Sequence, residues 1–159
     1  MILRDAIPDD WPAIWAFLHD IVAAGETYTL PRDMDEEQAR AIWMGAARTV
    51  VATDDGTVLG SAKFGPNHLG PGSHVANASF MVDPAHGGRG VGRALGEHVL
   101  EQARAEGYRS MQFNAVVSTN TGAVALWRSL GFEVIATLPE GYRHATLGFV
   151  GLHIMFRTL

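Results

Sequence analysis

Cysteine is absent from this 159-residue chain, and acidic residues outnumber basic ones. Without cysteine there is no disulfide framework, no thiolate zinc site and no cysteine nucleophile. The 12 lysines and arginines against 17 aspartates and glutamates leave a net charge of −5. That balance argues against binding a nucleic acid through phosphate neutralisation, so we expect no nucleic-acid partner.

Long apolar runs are missing as well. No stretch approaches the roughly 20 apolar residues of a membrane span, and the N-terminus lacks a signal-peptide pattern. The seven histidines include no i, i+4 pair of the kind that ligates a metal on a helix. We therefore expect a cytoplasmic protein with no membrane partner and no metal. A hydrophobic fraction of 47% and a charged fraction of 18% predict one globular domain over residues 1–159.

What the chain does have is a glycine-rich loop between a strand and a helix. The apolar stretch His74–Val82 is followed by glycine at four of the positions 87–92, and a helix-forming run begins at Val91. Glycines tolerate positive φ, and the first N–H groups of a helix have no intrahelical partner. The loop therefore predicts an anion cradle suited to a pyrophosphate, with Arg89 and Arg93 adding positive charge.

Two common phosphate-binding motifs do not fit this loop. A Rossmann site needs G-x-G-x-x-G and an acidic residue about 20 residues further on. Here the spacing is Gly88-x-Gly90-x-Gly92, and the next strand ends in Val116–Asn120 without an acidic residue. A Walker A loop needs Gly-Lys-Ser/Thr, which the chain lacks.

The loop and a second motif together resemble the GCN5-related N-acetyltransferase (GNAT) superfamily. That family has an Arg/Gln-x-x-Gly-x-Gly/Ala loop before a helix, then an Asn at a later helix start, followed by Ala, Leu, an aromatic residue and Gly-Phe. Here these motifs are the 87–92 loop and the segment Asn120–Phe132. The resemblance implies a single α/β N-acetyltransferase domain with a mixed, largely antiparallel sheet flanked by helices. It also implies a splay between the fourth and fifth strands.

Hydrophobic periodicity and turn residues predict the order β-α-α-β-β-β-α-β-α-β-β, which is that of the superfamily. The predicted helices are residues 10–24, 34–47, Val91–Glu106 and Asn120–Leu130. The predicted strands are Met1–Ala6, Arg48–Thr53, Val58–Phe64, His74–Val82, Met111–Val117, Phe132–Leu138 and Leu152–Arg157.

The resemblance implies where acetyl-CoA, the co-substrate, would bind. Main-chain groups of Met81 and Val82 would pair with pantetheine like an added strand. The pyrophosphate would lie on Gly87, Gly88, Arg89, Gly90, Val91, Gly92 and Arg93. Asn120 and Trp127 complete the implied cofactor site.

Two positions depart from the family pattern. Gly87 stands where Arg or Gln is usual, which removes one side-chain contact. Trp127 stands where many members have a Tyr that donates a proton to the CoA sulfur. An indole N–H does not titrate, so we expect Trp127 to be a packing residue or a wall of the pantetheine channel.

Two asparagines lie within apolar strands, where an amide must find polar partners or destabilise the fold. They are Asn77 in His-Val-Ala-Asn-Ala and Asn114 in Gln-Phe-Asn-Ala. Each is either a satisfied structural amide or a functional group. Their arrangement resembles the proline-analogue N-acetyltransferases, which act on azetidine-2-carboxylate and related cyclic imino acids. The resemblance implies that Asn77 and Asn114 are catalytic, binding the substrate carboxylate and holding the reacting carbonyl or amine.

Further candidates lie outside these motifs. Glu26 is predicted to receive an ammonium group or to act as a base through water, or else to be a solvated loop carboxylate. Tyr28 is predicted to line the acceptor pocket or to cap the core. His74 and His153 are strand residues that offer an alternative base.

Three functions remain open at this point. The leading one is acetylation of a small-molecule amine, such as an amino or imino acid. The alternatives are acetylation of a peptide N-terminus or lysine, and a non-catalytic acetyl-CoA sensor, which Trp127 in place of Tyr favours. The apolar strand Leu152–Phe156 is preceded by Tyr142, Leu147, Phe149 and Val150. This segment either stays in its own sheet or exchanges contacts across a two-fold axis, and the second alternative predicts a homodimer.

Overall fold

The computed structural model describes all 159 residues, in seven strands and four α-helices. The strands are β1 (Ile2–Asp5), β2 (Arg48–Asp54), β3 (Thr57–Pro66), β4 (Val75–Val82), β5 (Ser110–Val117), β6 (Glu133–His144) and β7 (Gly148–Thr158). The helices are α1 (Trp11–Ala24), α2 (Glu36–Met44), α3 (Val91–Ala105) and α4 (Thr121–Ser129). The predicted order of elements is confirmed.

All seven strands form one sheet in the order β1-β2-β3-β4-β5-β7-β6. Every neighbouring pair is antiparallel except β4 and β5, which are parallel. Their pairing is confined to Val75 with Ser110 and Ala76 with Met111. Beyond these residues the two strands diverge, so the predicted splay is confirmed.

Helices cover both faces of the sheet, because each presents an apolar stripe at helical spacing. On one face α1 and α2 bury Ile14, Leu18 and Trp43 in one hydrophobic cluster. On the other face α3 packs Leu95 and Val99 into a larger cluster that continues into α4. None of the helices is both long and apolar enough to cross a membrane.

The last hairpin is longer than predicted. The sequence suggested strands ending at Leu138 and starting again at Leu152, yet β6 and β7 continue to a turn at residues 145–147. A register shift between Leu138 and Tyr142 absorbs the segment Pro139–Gly141 as a bulge. Gly141 permits it, since a Cβ there would lie 2.8 Å from the Cβ of Leu152.

The second helix is shorter than the predicted range 34–47. Asp35 caps it, since its side chain accepts a hydrogen bond from the Gln38 N–H at 2.9 Å. The helix ends at Met44, and Gly45 follows as its C-terminal cap.

Candidate active site

A cavity of about 270 Å³ opens where β4 and β5 diverge. Its walls come from the segment between α1 and α2, from the end of α2, from strands β3, β4 and β5, and from α4. The glycine-rich loop follows β4 directly, so an extended ligand on that loop can reach the cavity along the splay. The geometry provides one long site with an anion-binding end and an enclosed end.

The anion-binding end is built from main-chain N–H groups. Gly88 has φ +75° and Gly90 has φ +77°, and a Cβ on either would meet nothing within 4 Å. The first helical bond of α3 runs from the Ala94 N–H to the Gly90 carbonyl. None of the N–H groups from Gly88 to Arg93 donates a hydrogen bond within the protein. These free donors at a helix N-terminus fit a pyrophosphate.

The side chains of Arg89 and Arg93 form hydrogen bonds with residues outside the loop. Arg89 donates to the Asp54 carboxylate at 2.9 Å. Arg93 donates to Glu97 at 3.2 Å and to the Ser129 hydroxyl at 2.7 Å. Both ion pairs are half-exposed, so each guanidinium group lies beside the loop with a surface carboxylate as its partner. That both arginines add positive charge to the cradle stays a prediction.

The remaining glycines of the loop serve different purposes. Gly87 has φ −59° and ψ 153°, which any residue can adopt. Gly92 lies in the first turn of α3, where a Cβ would be 3.3 Å from Leu126 Cδ2 of α4. Gly92 therefore allows the close packing of α3 on α4, while Gly88 and Gly90 shape the cradle.

The open edge of β4 carries main-chain groups from alternate residues. The Asn67 N–H donates to the Val75 carbonyl, and the Asp83 N–H donates to the Leu59 carbonyl. Because main-chain directions alternate along a strand, the odd-numbered residues of β4 face β3. The main-chain groups of Met81 are therefore directed to β3. Of the two residues expected to offer free main-chain groups, only Val82 faces the open edge, and Phe80 faces it as well.

Tyr28 reaches this open edge from the segment after α1. Its hydroxyl donates to the Phe80 carbonyl at 2.5 Å, and its own carbonyl accepts from the Tyr142 hydroxyl at 3.1 Å. Burial raises the pKa of the Tyr28 phenol, which keeps it a donor. Tyr28 therefore lines the cavity, whereas Glu26 is exposed and lies outside the cavity wall.

The structure brings Asn77 and Asn114 to the same cavity. Asn114 lies where the β5–β7 register shifts, between Phe113 and Val116. Its amide accepts from Gln112 Nε2 at 2.9 Å and donates to Asn67 Oδ1 at 2.7 Å. The Asn77 side chain makes no hydrogen bond within the protein. Asn114 therefore has two of the hydrogen bonds expected of a structural amide, whereas Asn77 has none.

Sequence reasoning missed two groups at this end of the site. Asn67 positions the Asn114 amide but follows β3 in a loop whose residues carry no recognisable motif. Lys63 also lines the cavity, and burial lowers the pKa of its ammonium group. A single lysine in a strand gives no signal in the sequence, because only the pairing of β3 with β4 reveals its neighbours.

Trp127 and Asn120 form the α4 side of the cavity. Trp127 is 7% exposed, and its ring centroid lies 4.7 Å from that of Phe80 and 4.9 Å from that of Phe113. The indole therefore packs in an aromatic cluster and also forms part of the cavity wall. Asn120 caps α4, with its side chain accepting from the Ala123 N–H at 3.4 Å.

Replacing Asn120 by alanine should weaken acetyl-CoA binding only modestly. The change removes the cap of α4 and one polar group of the cavity, each worth about 0.5–1.5 kcal/mol. Calorimetric titration with acetyl-CoA checks the affinity, and thermal unfolding checks the cap. A loss of affinity above about a hundredfold would contradict this minor role.

Neither candidate histidine lies at the cavity. His74 is exposed, and the His153 ring nitrogen Nδ1 lies 2.7 Å from the Thr137 hydroxyl on the outer hairpin. No carboxylate lines the cavity either. The structure therefore places no imidazole or carboxylate base at the enclosed end of the site.

Comparison with known proteins agrees with this architecture. The profile of the acetyltransferase (GNAT) family matches residues 15–132, which is most of the chain. A GCN5-related N-acetyltransferase from Kribbella flavida superposes with a TM-score of 0.96 at 57% identity, covering 99% of this chain and 97% of that one. The chain belongs to the GNAT family of N-acetyltransferases.

Two further relatives are similar in sequence. N-acetyltransferase aca1 of Schizosaccharomyces pombe is 38% identical over 87 residues, 55% of this chain and 42% of its own length. The match thus spans less than half of that relative. An L-methionine sulfoximine/L-methionine sulfone acetyltransferase of Salmonella typhimurium is 30% identical over 146 residues, 88% of this chain and 84% of its own.

A solved structure includes the co-substrate. The putative acetyltransferase yncA from Salmonella typhimurium, with its cofactor acetyl-CoA, superposes with a TM-score of 0.84 at 29% identity. The superposition covers all of this chain and 94% of the yncA chain.

Proposed function

We propose that this protein transfers the acetyl group of acetyl-CoA to the amine of a small amino or imino acid. The observation that carries the proposal is one continuous site: free N–H groups at the start of α3, the open edge of β4, and a cavity containing Asn77 and Asn114. One relative, from Salmonella typhimurium, is named as an acetyltransferase of L-methionine sulfoximine and L-methionine sulfone, which are small amines with a carboxylate.

The cradle at residues 88–93 fits the pyrophosphate of acetyl-CoA, and the open edge of β4 fits its pantetheine arm. Phe80 and Val82 present N–H groups toward the splay, where no β5 residue pairs with them. An N–H in that position can hydrogen-bond an amide of the arm or polarise the thioester carbonyl. The yncA structure with acetyl-CoA supports this use of the fold.

The cavity then holds the acceptor for direct attack. The amine nitrogen forms a bond to the acetyl carbon, the carbon–sulfur bond breaks, and the amine proton is released while the thiolate takes up a proton. Asn77 offers an unengaged amide to orient the acceptor or the developing oxyanion. Since no imidazole or carboxylate lines the cavity, the fraction of acceptor that is already neutral reacts.

The leaving group needs no acid from Trp127. A thiol pKa of about 8.5 makes a thiolate a tolerable leaving group near neutrality. Trp127 packs against Phe80 and Phe113 and thereby keeps water from the enclosed end of the site.

A CoA-release assay tests the function. Purified protein is given acetyl-CoA with amino acids, cyclic imino acids such as azetidine-2-carboxylate, carboxyl-free amines and short peptides. We expect turnover with at least one free amino or imino acid. Turnover with peptides alone would identify a peptide acetyltransferase, and acetyl-CoA binding without turnover would identify a sensor.

We further propose that the protein forms a homodimer through the hairpin of β6 and β7. Ile135, Leu138, Leu147 and Phe149 are 45–63% exposed on β6, β7 and their turn. An edge strand that exposes large apolar side chains favours pairing with a second copy. Light scattering at micromolar concentration should give twice the 17.1 kDa chain mass. Phe149→Lys should shift the mass toward one chain, and a monomeric parent protein would contradict the proposal.

A further inference from the structure

Lys63 is the single charged side chain among the residues that line the cavity. The lining includes no aspartate, glutamate, arginine or histidine, although the chain as a whole carries a net charge of −5. The enclosed end of the site therefore holds one positive charge in mainly apolar and amide surroundings. Such a pocket favours a ligand that carries one negative charge at that end.

The ammonium group has no partner within the protein. No carboxylate lies within 4.0 Å of it, since the ion pairs of the structure all involve other cations. Its Nζ lies 6.0 Å from the centroid of the Trp43 ring. A half-buried cation without a counter-ion destabilises the folded protein, and a ligand carboxylate would remove that penalty.

The position of Lys63 is set by rigid neighbours. Trp43 is fully buried, and its Nε1 donates to the Ser61 hydroxyl at 2.9 Å. On the sheet, Lys63 lies opposite Ser79 of β4, and Asn77 is the diagonal neighbour on the same face. Lysine and asparagine side chains in that relation can contact the same small group.

We propose that Lys63 pairs with the carboxylate of the acceptor and so makes the enzyme specific for free amino or imino acids. The inference rests on the proposed function and deepens it. The carboxylate lies at the β3–β4 side of the cavity, where Asn77 donates a second hydrogen bond. The acceptor amine then points toward the splay between β4 and β5, where the thioester lies.

A different role for Lys63 predicts different kinetics. A lysine that removes the amine proton would act on every acceptor, with or without a carboxylate, and its loss would lower kcat. A lysine that binds the carboxylate acts on charged acceptors only, and its loss raises KM. Acceptors with and without that charge separate the two roles, provided that each variant is compared with the parent enzyme on the same acceptor, since the amine pKa differs between an acid and its amide.

The experiment compares an acid with its primary carboxamide, using azetidine-2-carboxylate and azetidine-2-carboxamide, and L-methionine sulfone and its amide. The variants are Lys63→Met, which keeps the length of the side chain, and Lys63→Arg, which keeps the charge. For Lys63→Met we expect KM for the acid to rise at least about tenfold, with KM for the amide unchanged within about threefold. Lys63→Arg should recover most of the affinity for the acid. Acetyl-CoA affinity by calorimetry should be the same in all three proteins.

The outcomes distinguish this inference from the function on which it rests. If the parent enzyme acetylates no amino or imino acid, the proposed function fails, and the role of Lys63 fails with it. If the parent enzyme acetylates the acid but Lys63→Met changes acid and amide equally, only the role of Lys63 is overturned. Should Lys63→Met not fold, the parent enzyme must still prefer the acid to its amide by about tenfold or more in kcat/KM at equal concentrations of the neutral amine, and equal use of both on that basis would overturn the inference.

Discussion

Gly90→Asp should abolish acetyl-CoA binding. The carboxylate would stand at the free N–H groups of residues 88–93, satisfy them in place of a phosphate and repel the pyrophosphate. Gly90 also has φ +77°, which adds backbone strain for a residue with a Cβ. We expect calorimetry to detect no binding at acetyl-CoA concentrations a thousandfold above the parent dissociation constant, a loss of about 4 kcal/mol or more.

Gly90→Asn is the matched control, since it has nearly the same size and differs in charge. Asparagine tolerates the left-handed conformation better than most residues, and a Cβ at this position meets nothing within 4 Å. This variant should keep measurable affinity. Binding by Gly90→Asp at the parent level would show that the pyrophosphate lies elsewhere.

The cradle depends on main-chain donors more than the sequence suggested. The pattern of glycines between a strand and a helix predicts its location, because positive φ and helix N-termini are local properties. The side chains of Arg89 and Arg93 were assigned to the same site on proximity in sequence. Their partners, Asp54 and Ser129, lie on other elements, so only the folded chain reveals where the guanidinium groups go.

The order of helices and strands was predicted correctly because it, too, depends on local properties of the sequence. Helices and strands have different hydrophobic periods, and the turn residues separate them, so the order of elements was predictable. The C-terminal hairpin was not, because Pro139–Gly141 has the composition of a loop. In the folded protein this segment is a bulge within β6, held by pairing with β7. Tertiary pairing there overrides the local turn signal.

At the acceptor end of the site, too, the sequence predicted some residues and missed others. Asn77 and Asn114 stood out because an amide inside an apolar strand is unusual. Lys63 and Asn67 did not, since each is unremarkable in its own segment. Their relation to the asparagines comes from the register of β3 with β4 and from one hydrogen bond across the splay.

Replacing Asn77 or Asn114 by alanine should lower turnover with the amino or imino acid by one to three decades. Hydrogen bonds that strengthen in the transition state are worth about 1–4 kcal/mol, and each 1.4 kcal/mol corresponds to about a decade in rate. Acetyl-CoA affinity should change little, because the cradle at residues 88–93 lies at the other end of the site. Steady-state kinetics and calorimetry on both variants give the two quantities separately.

The two variants should differ in stability, which separates a structural from a catalytic role. Asn77→Ala removes no hydrogen bond of the protein, so its unfolding free energy should stay within about 0.5 kcal/mol of the parent. Asn114→Ala releases Gln112 and Asn67, and should destabilise by about 1 kcal/mol. Asn67→Ala is the control that loses the same contact while keeping the Asn114 amide. If Asn67→Ala lowers turnover as much as Asn114→Ala does, the contribution of Asn114 is its orientation of the loop. If neither asparagine variant changes turnover, the amides are outside the mechanism, and Lys63 alone would remain to hold the acceptor.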